Sequence, residues 1–397
     1  MNSFLNARQC TLMVIFLIIL LSVYPASLMN NAKQNILFLG VMALSPLLIV
    51  VSQRVMPKFD IPLLCIYLLI LALPMVFYPT SIRWSTLLYT GMFISFFLMY
   101  LRLLYSSEFT AVQLKDVLKW LFYLYAITLV IQLGCFFLGL PILNRINVDL
   151  THGFPRINAL GPEPAWTARI ECLFMFIYCC LVDHLKGYKV SISELFKEER
   201  WVCISFVFVL IACGSTTGLL FGGVLLCRFM NFRSIIYMVM LLMTVFYIGD
   251  KLEINSFTRL GKFIPAVWAM DIESMVKADG SGASRIIPTI VAFKQITLST
   301  LEGWIGHGVD ADVGIYKLGT IKTNGGAVSL WYNYGFIVQI LYWAYLIWIC
   351  HIKGEWTSLA ICFLYVFGGI TLNLQIMWFM LAMFCTYKYV ISFDKQT

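Results

Sequence analysis

Of the 397 residues, 61% are hydrophobic and only 12% are charged, and the 28 Lys and Arg outnumber the 20 Asp and Glu by 8. No polar stretch is long enough for a separate catalytic domain of ordinary size. Much of the positive charge falls in short segments between apolar runs, which marks membrane topology and argues against a basic nucleic-acid groove.

Apolar runs follow one another from Cys10 to Val390. A run of about 20 apolar residues crosses the hydrocarbon core, and in lipid such a run must be helical to satisfy its own backbone. The chain therefore reads as an all-α, polytopic membrane protein, a single integral domain over 1–397 with about twelve transmembrane helices. The pattern predicts spans at 10–29, 36–52, 61–79, 84–105, 118–140, 164–184, 201–213, 219–230, 234–249, 326–350, 357–371 and 374–390. Residues 1–9 lead into a full-length run with no small-residue cleavage site behind it, so the first helix is expected to be retained. The twelve Cys lie in or at the ends of apolar runs without metal-ligand spacing and read as small buried hydrophobes.

Spans seven and eight are short and separated by Gly214-Ser215-Thr216-Thr217-Gly218, which suits either two short helices or one broken one. Charge arbitrates. With the N-terminus inside, the inner connections hold Arg54 and Lys58, then Arg102, Lys115 and Lys119, then Lys186 to Arg200, then Arg228 and Arg233, and Lys353. The short outer connections hold only Lys33 and Arg83. That alternation requires the Ser215 turn to be a true reversal. It leaves two larger external loops, 141–163 and 250–325.

The first external loop closes with Gly161-Pro162-Glu163-Pro164-Ala165-Trp166. Pro164 suits the first position of a helix, and Glu163 suits the positive end of its dipole. Arg169 and Glu171 follow inside the sixth span, where ionisable groups are expensive and point to function. Arg156 joins them as a candidate anion-binding residue; the alternative for the pair inside the span is a lock between loop and helix. The second loop balances eight basic against eight acidic residues and is amphipathic. A first helix is expected at 263–277, with Pro265 in its first turn. A break follows at 279–282, then a second helix at 285–301 capped by Ser281 or Ser284. Its apolar face is expected to be Ile286, Ile290, Phe293 and Ile296, with Ile287 and Val291 beside it. Arg285 would then stand among the unpaired N–H groups of that helix, where anion binding gives an Arg a purpose. Gly306-His307-Gly308 forms a tight turn, either structural or lining a site, and His307 is a candidate base or sugar contact.

In order, Arg156 with Gly161-Pro162-Glu163-Pro164, the Ser215-Thr216-Thr217-Gly218 turn, Ser284-Arg285, Gly306-His307-Gly308, and Thr323-Asn324-Gly325 before Tyr334-Gly335 resemble the O-antigen polymerase and ligase superfamily of bacterial membrane glycosyltransferases. The resemblance implies an inner-membrane enzyme whose active site faces the periplasm. Its substrates would be undecaprenyl-pyrophosphate-linked oligosaccharides, met in membrane lipid. It implies no nucleotide sugar, no metal and no other cofactor, and it leaves room for a chain-length regulator protein as partner. A polymerase joins lipid-linked repeat units; a ligase moves the finished glycan to lipid A–core. The family relies on arginines of the large outer loops, so Arg156 and Arg285 carry over as catalytic, with Glu163 and His307 as candidate bases. Arg169, Glu171, Ser215, Gly306, Gly308 and Asn324 are expected to bind substrate.

Two departures matter. Where ligases share a His-Asn-type pair, this chain has Thr323-Asn324-Gly325 without His, which favours the polymerase. The Arg-x10-Gly pattern of some polymerases is not matched, since eleven residues after Arg156 and Arg285 stand Thr167 and Ile296. A flippase or other transporter is the rival of another class. It would show internal repeats and midplane charge, whereas here the centres of most spans are bare.

Overall fold

The computed structural model describes residues 6–29, 35–51, 57–146, 155–231, 255–278, 280–310, 326–368 and 371–395, with residues 233, 236, 237, 240, 243, 244 and 247. Among these the regular structure is helical throughout. The helices are α1 (Ala7–Ser22), α2 (Ile36–Val51), α3 (Asp60–Phe77), α4 (Trp84–Tyr105), α5 (Ala111–Phe137), α6 (Pro164–Lys186), α7 (Ile192–Glu198), α8 (Arg200–Cys213) and α9 (Thr216–Cys227). Then come α10 (Asn255–Trp268), α11 (Ile272–Ala278), α12 (Gly280–Gln295), α13 (Leu301–Ile305), α14 (Ser329–Tyr334), α15 (Phe336–Cys350), α16 (Thr357–Phe367) and α17 (Gln375–Asp394).

Five of the described helices, α3, α4, α5, α6 and α17, are long and apolar enough to cross a membrane. Six shorter apolar helices, α1, α2, α8, α9, α15 and α16, accompany them. This is a helical membrane protein. The expected span at 234–249 falls largely outside the described residues.

Burial sorts the long helices. The apolar window of α6 is 100% buried and that of α17 is 78% buried, against 28% for α3 and 33% for α5. The first two form the axis of the bundle, and the other two line its rim. Around α17, Trp378 stacks on Phe93 of α4 at 5.8 Å, and Tyr100 and Thr386 share a 2.5 Å hydrogen bond. Lipid gives helices no hydrophobic reason to associate, so close packing must hold them. At Gly218 that packing is tight: a side chain there would begin 2.6 Å from the Ala168 methyl, which brings α9 flush against α6.

Charged pairs gather at one end of the bundle. Lys115 and Lys119 meet Glu199 at 2.6 and 3.3 Å, Lys186 meets Glu194 at 2.7 Å, and buried Arg228 bridges Asp183 and Glu355. These are the connections grouped together by their positive charge. Helix α8 starts from this end at Glu199, reverses at Gly214-Ser215, and α9 returns to it at Arg228. The Ser215 turn is a reversal between two short helices.

Several expected boundaries change. Helix α5 begins at Ala111 rather than 118, because Thr110 and Gln113 form a capping box and the added turns carry Lys115 and Lys119 to Glu199. Helix α7, unforeseen, starts where Ser191 accepts the Glu194 N–H. The span expected at 326–350 is broken at Gly335, whose φ of +89° ends α14 and starts α15. The helix expected at 263–277 is two helices. Met270 takes φ +53° and Asp271 accepts the N–H groups of Glu273 and Ser274, ending α10 and capping α11, so Pro265 lies near the end of α10. The helix expected at 285–301 starts five residues earlier, at Gly280, and ends at Gln295, with Pro288 inside it. Its buried stripe is Ala283, Ile287 and Val291, while Phe293 is 58% exposed. Ala283 is fully buried, and beside it the missing side chain of Gly282 leaves room for the Phe263 ring of α10.

Candidate functional site

The site grows from an irregular segment, 155–163, that lies buried above the start of α6. Buried non-helical backbone survives only where protein groups satisfy it. Here four side chains do so. Asn158 donates to the Gly161 and Asn144 carbonyls at 2.6 and 3.1 Å. Thr167 donates to the Asn158 carbonyl at 2.5 Å. Gln132 of α5 accepts the Ala159 N–H at 2.9 Å and donates back to the Ala159 carbonyl at 3.2 Å, and Asn144 donates to that carbonyl too. The Tyr24 N–H reaches the Leu160 carbonyl at 2.7 Å. Sequence reasoning passed over Gln132, Asn144, Asn158 and Thr167. One signal was visible, a Gln in the middle of an apolar helix.

This web fixes Arg156. Its side chain runs past the Gly214 backbone, with Cγ 3.6 Å and Nε 3.9 Å from where a side chain at 214 would begin. The Nε is buried and has no hydrogen-bond partner among the described residues. Ser215 next door caps α9, its hydroxyl accepting the Gly218 N–H at 3.5 Å. Glu163 is the N-cap residue of α6 and Pro164 its first residue, as expected. The starts of α6 and α9 are neighbours through Ala168 and Gly218, so two positive helix ends rise beside Arg156.

Deeper in α6, Arg169 is 2% exposed and Glu171 is fully buried. Arg169 donates to the Gly368 carbonyl at 3.3 Å, where α16 ends, and its own carbonyl accepts from the Tyr365 hydroxyl at 3.0 Å. Neither carboxylate oxygen of Glu171 has a hydrogen-bond partner among the described residues. The Cys213 thiol lies within electrostatic reach of both Glu171 and Arg156. Arg156, Ser215, Arg169 and Glu171 are thus gathered around the start of α6, with Glu163 on the segment between them. A buried guanidinium edge, two helix N-termini and a second Arg suit a ligand with several anionic oxygens.

The remaining candidates are held by other elements. The turn at Gly306-His307-Gly308 docks on α14: the His307 and Gly308 N–H groups donate to the Tyr332 and Asn333 carbonyls at 2.8 and 3.1 Å. The His307 ring stacks on Tyr332 at 4.3 Å, and its Nδ1 lies 3.0 Å from the Tyr332 carbonyl, which can only accept, so Nδ1 carries the proton. Tyr78 donates to the Gly306 carbonyl at 2.7 Å. Asp310 is tied to Thr86 at 2.5 Å and to Arg83 at 3.5 Å. The glycine turn therefore clasps the loop to α14 and to the α3–α4 connection. Arg285 lies in the second turn of α12, not at its N-terminus, which removes the helix-end reason for an Arg there. Helix α12 rests on residues 326–328, where Thr289 accepts the Ala327 N–H at 3.0 Å, and those residues touch α16. Asn324 lies outside the described residues.

At the charged end, a cavity of about 350 Å³ is lined by Asp183, His184, Arg228, Lys353, Glu355 and Tyr387, among others. Its charges are largely paired with one another, which suits a structural knot. No family model matches the chain, and neither a curated protein nor a solved structure does.

Proposed function

We propose that this protein is a surface-polysaccharide polymerase of the O-antigen polymerase type, a glycosyltransferase of the bacterial inner membrane. Twelve spans would put both termini in the cytoplasm and the Arg156 site at the periplasmic face. The donor and acceptor are undecaprenyl-pyrophosphate-linked repeat units. The observation that carries the reading is the placing of Arg156 against Gly214 at the Ser215 cap of α9, with Arg169 buried in α6 next to the Ala168–Gly218 contact.

The chemistry follows from charge. An acceptor hydroxyl attacks C1 of the donor sugar; the new C1–O bond forms as the C1–O bond to pyrophosphate breaks, with inversion. Negative charge grows on the leaving pyrophosphate, and arginines held beside it stabilise that charge more in the transition state than in the ground state. The hydroxyl proton passes to a carboxylate and then to water. Glu163 is the better candidate, since it shares a segment with Arg156, while His307 sits on the turn that docks on α14. Arg285 belongs to the covering layer of this reading and Glu171 to its floor.

The test is the surface glycan of a strain lacking the gene, resolved by gel. A core bearing one repeat unit, with the ladder gone, is the expected result. Bare core with long lipid-linked polymer accumulating would make the protein a ligase instead. Bare core with single units trapped on the cytoplasmic face would make it a flippase and end the catalytic reading.

A further inference from the structure

Arg156 does not sit behind a closed wall. Gly214 is the exposed tip between α8 and α9, and its φ of +53° with no side chain leaves the Arg156 stem bare on that side. Apolar side chains flank the tip and point away from the protein: Ile211 is 71% exposed, Leu219 70% and Leu220 60%. The buried Arg156 Nε, without a hydrogen-bond partner among the described residues, therefore lies one residue's width from surface suited to hydrocarbon.

The lengths deepen the point. Helix α8 has 14 residues and α9 has 12. At 1.5 Å per residue they rise about 21 and 18 Å, well short of a hydrocarbon core of about 30 Å. Their far ends are pinned, α8 through Glu199 to Lys115 and Lys119, α9 through Arg228 to Asp183 and Glu355. The tip cannot slide outward to make up the difference. With those ends at the cytoplasmic surface, as the proposed topology has them, the tip falls within the slab, where a lipid's polar head can sink beside it while its chain stays among other chains.

We infer that the lipid-linked substrate reaches Arg156 sideways from the bilayer, across Gly214, with its phosphate oxygens on Arg156 and its isoprenoid chain along Ile211, Leu219 and Leu220. The occupant is fixed by chemistry: an anionic head for the guanidinium, joined directly to a long apolar tail for the flank. This rests on the function proposed above, because it takes the isoprenoid pyrophosphate as substrate.

The experiment uses the full-length protein in lipid nanodiscs. The probe is undecaprenyl pyrophosphate carrying a photoreactive group on the isoprene unit next to the phosphates, and both retention and the cross-linked residues are read. Cross-links at Ile211, Leu219 or Leu220, competed by unlabelled undecaprenyl pyrophosphate and not by phosphatidylglycerol, are expected. Ile211→Trp and Leu219→Trp should each lower retention about tenfold with unchanged melting. Leu44→Trp, on the outward face of α2, should do nothing. Retention with cross-links elsewhere and silent Trp variants would overturn the route and leave the proposed function standing. Equal competition by phosphatidylglycerol would make the flank an ordinary phospholipid site and overturn it too. No retention by the wild-type protein would bring down the proposed function itself, and the route with it.

Discussion

Arg156 and Asn158 stand two residues apart and should fail in different ways. The Arg156 Nε makes no hydrogen bond to any described residue, so it is not among the groups that hold the web of the segment together. Arg156→Ala should therefore abolish the glycan ladder while stability moves by no more than about 0.5 kcal/mol, read by gel and by thermal melting of the purified protein. Asn158 holds the segment itself through the Gly161 and Asn144 carbonyls. Asn158→Ala should cost about 1–3 kcal/mol and lose the ladder along with the stability. A melt for Asn158→Ala like that of the wild type would mean the web is not what holds the segment. At this scale the sequence was legible where a residue is costly wherever it goes, as with Arg169 and Glu171 inside an apolar run. It was silent on Gln132, Asn144, Asn158 and Thr167. Their role depends on which carbonyls face them, and those come from distant parts of the chain.

Helices were easier to read as presences than as lengths. The apolar run dictates that α3 or α17 exists, whereas its ends are decided by a few capping atoms such as those of Thr110 and Asp271. The stripe of α12 was misjudged because Ala283, small and unremarkable in sequence, is one of its fully buried residues. Closeness governs α6 and α9. Gly218→Leu forces the pair apart at Ala168 and should cost about 1–3 kcal/mol, seen as a lower melting temperature. The join of α7 and α8 to α5 gives a pH dependence. Burial works against the Glu199 charge, but hydrogen bonds from Lys115 and Tyr178 and the charges of Lys115 and Lys119 outweigh it, so its value is lowered in the fold. A carboxylate lowered on folding stabilises above its unfolded value and loses that contribution as pH falls through its folded one. Wild-type stability should fall below about pH 4, and Glu199→Gln should flatten that fall in melts taken across the acid range.

For the whole molecule, which connections share an end of the bundle was the most legible property, because loop charge alone groups them. The structure groups Lys115, Lys186, Arg228 and Glu355 at one end, and the reversal at Ser215 agrees with that grouping. A reporter fused after residue 279 should read as periplasmic and one after Lys353 as cytoplasmic; the same compartment for both would overturn the proposed topology. Which loop covers which helix end could not be read, since it depends on contacts such as that of Tyr78 with Gly306, 228 residues apart in the chain.

The clasp at Gly306 and Gly335 reaches beyond this one molecule. A side chain at Gly306 would collide with the Asn333 carbonyl, and one at Gly335 with the Trp304 carbonyl, so two backbones cross in direct touch at two glycines. The external loop and the first turns of the helix after it are thus one inheritable unit. A loop exchanged between two chains of this fold must carry residues up to 335, since a graft cut at 325 would pair one parent's turn with the other's crossing stretch of chain. Chimeras joined at 335 should insert and fold, and those joined at 325 should be degraded, which makes Gly335 the natural seam for exchanging the loop.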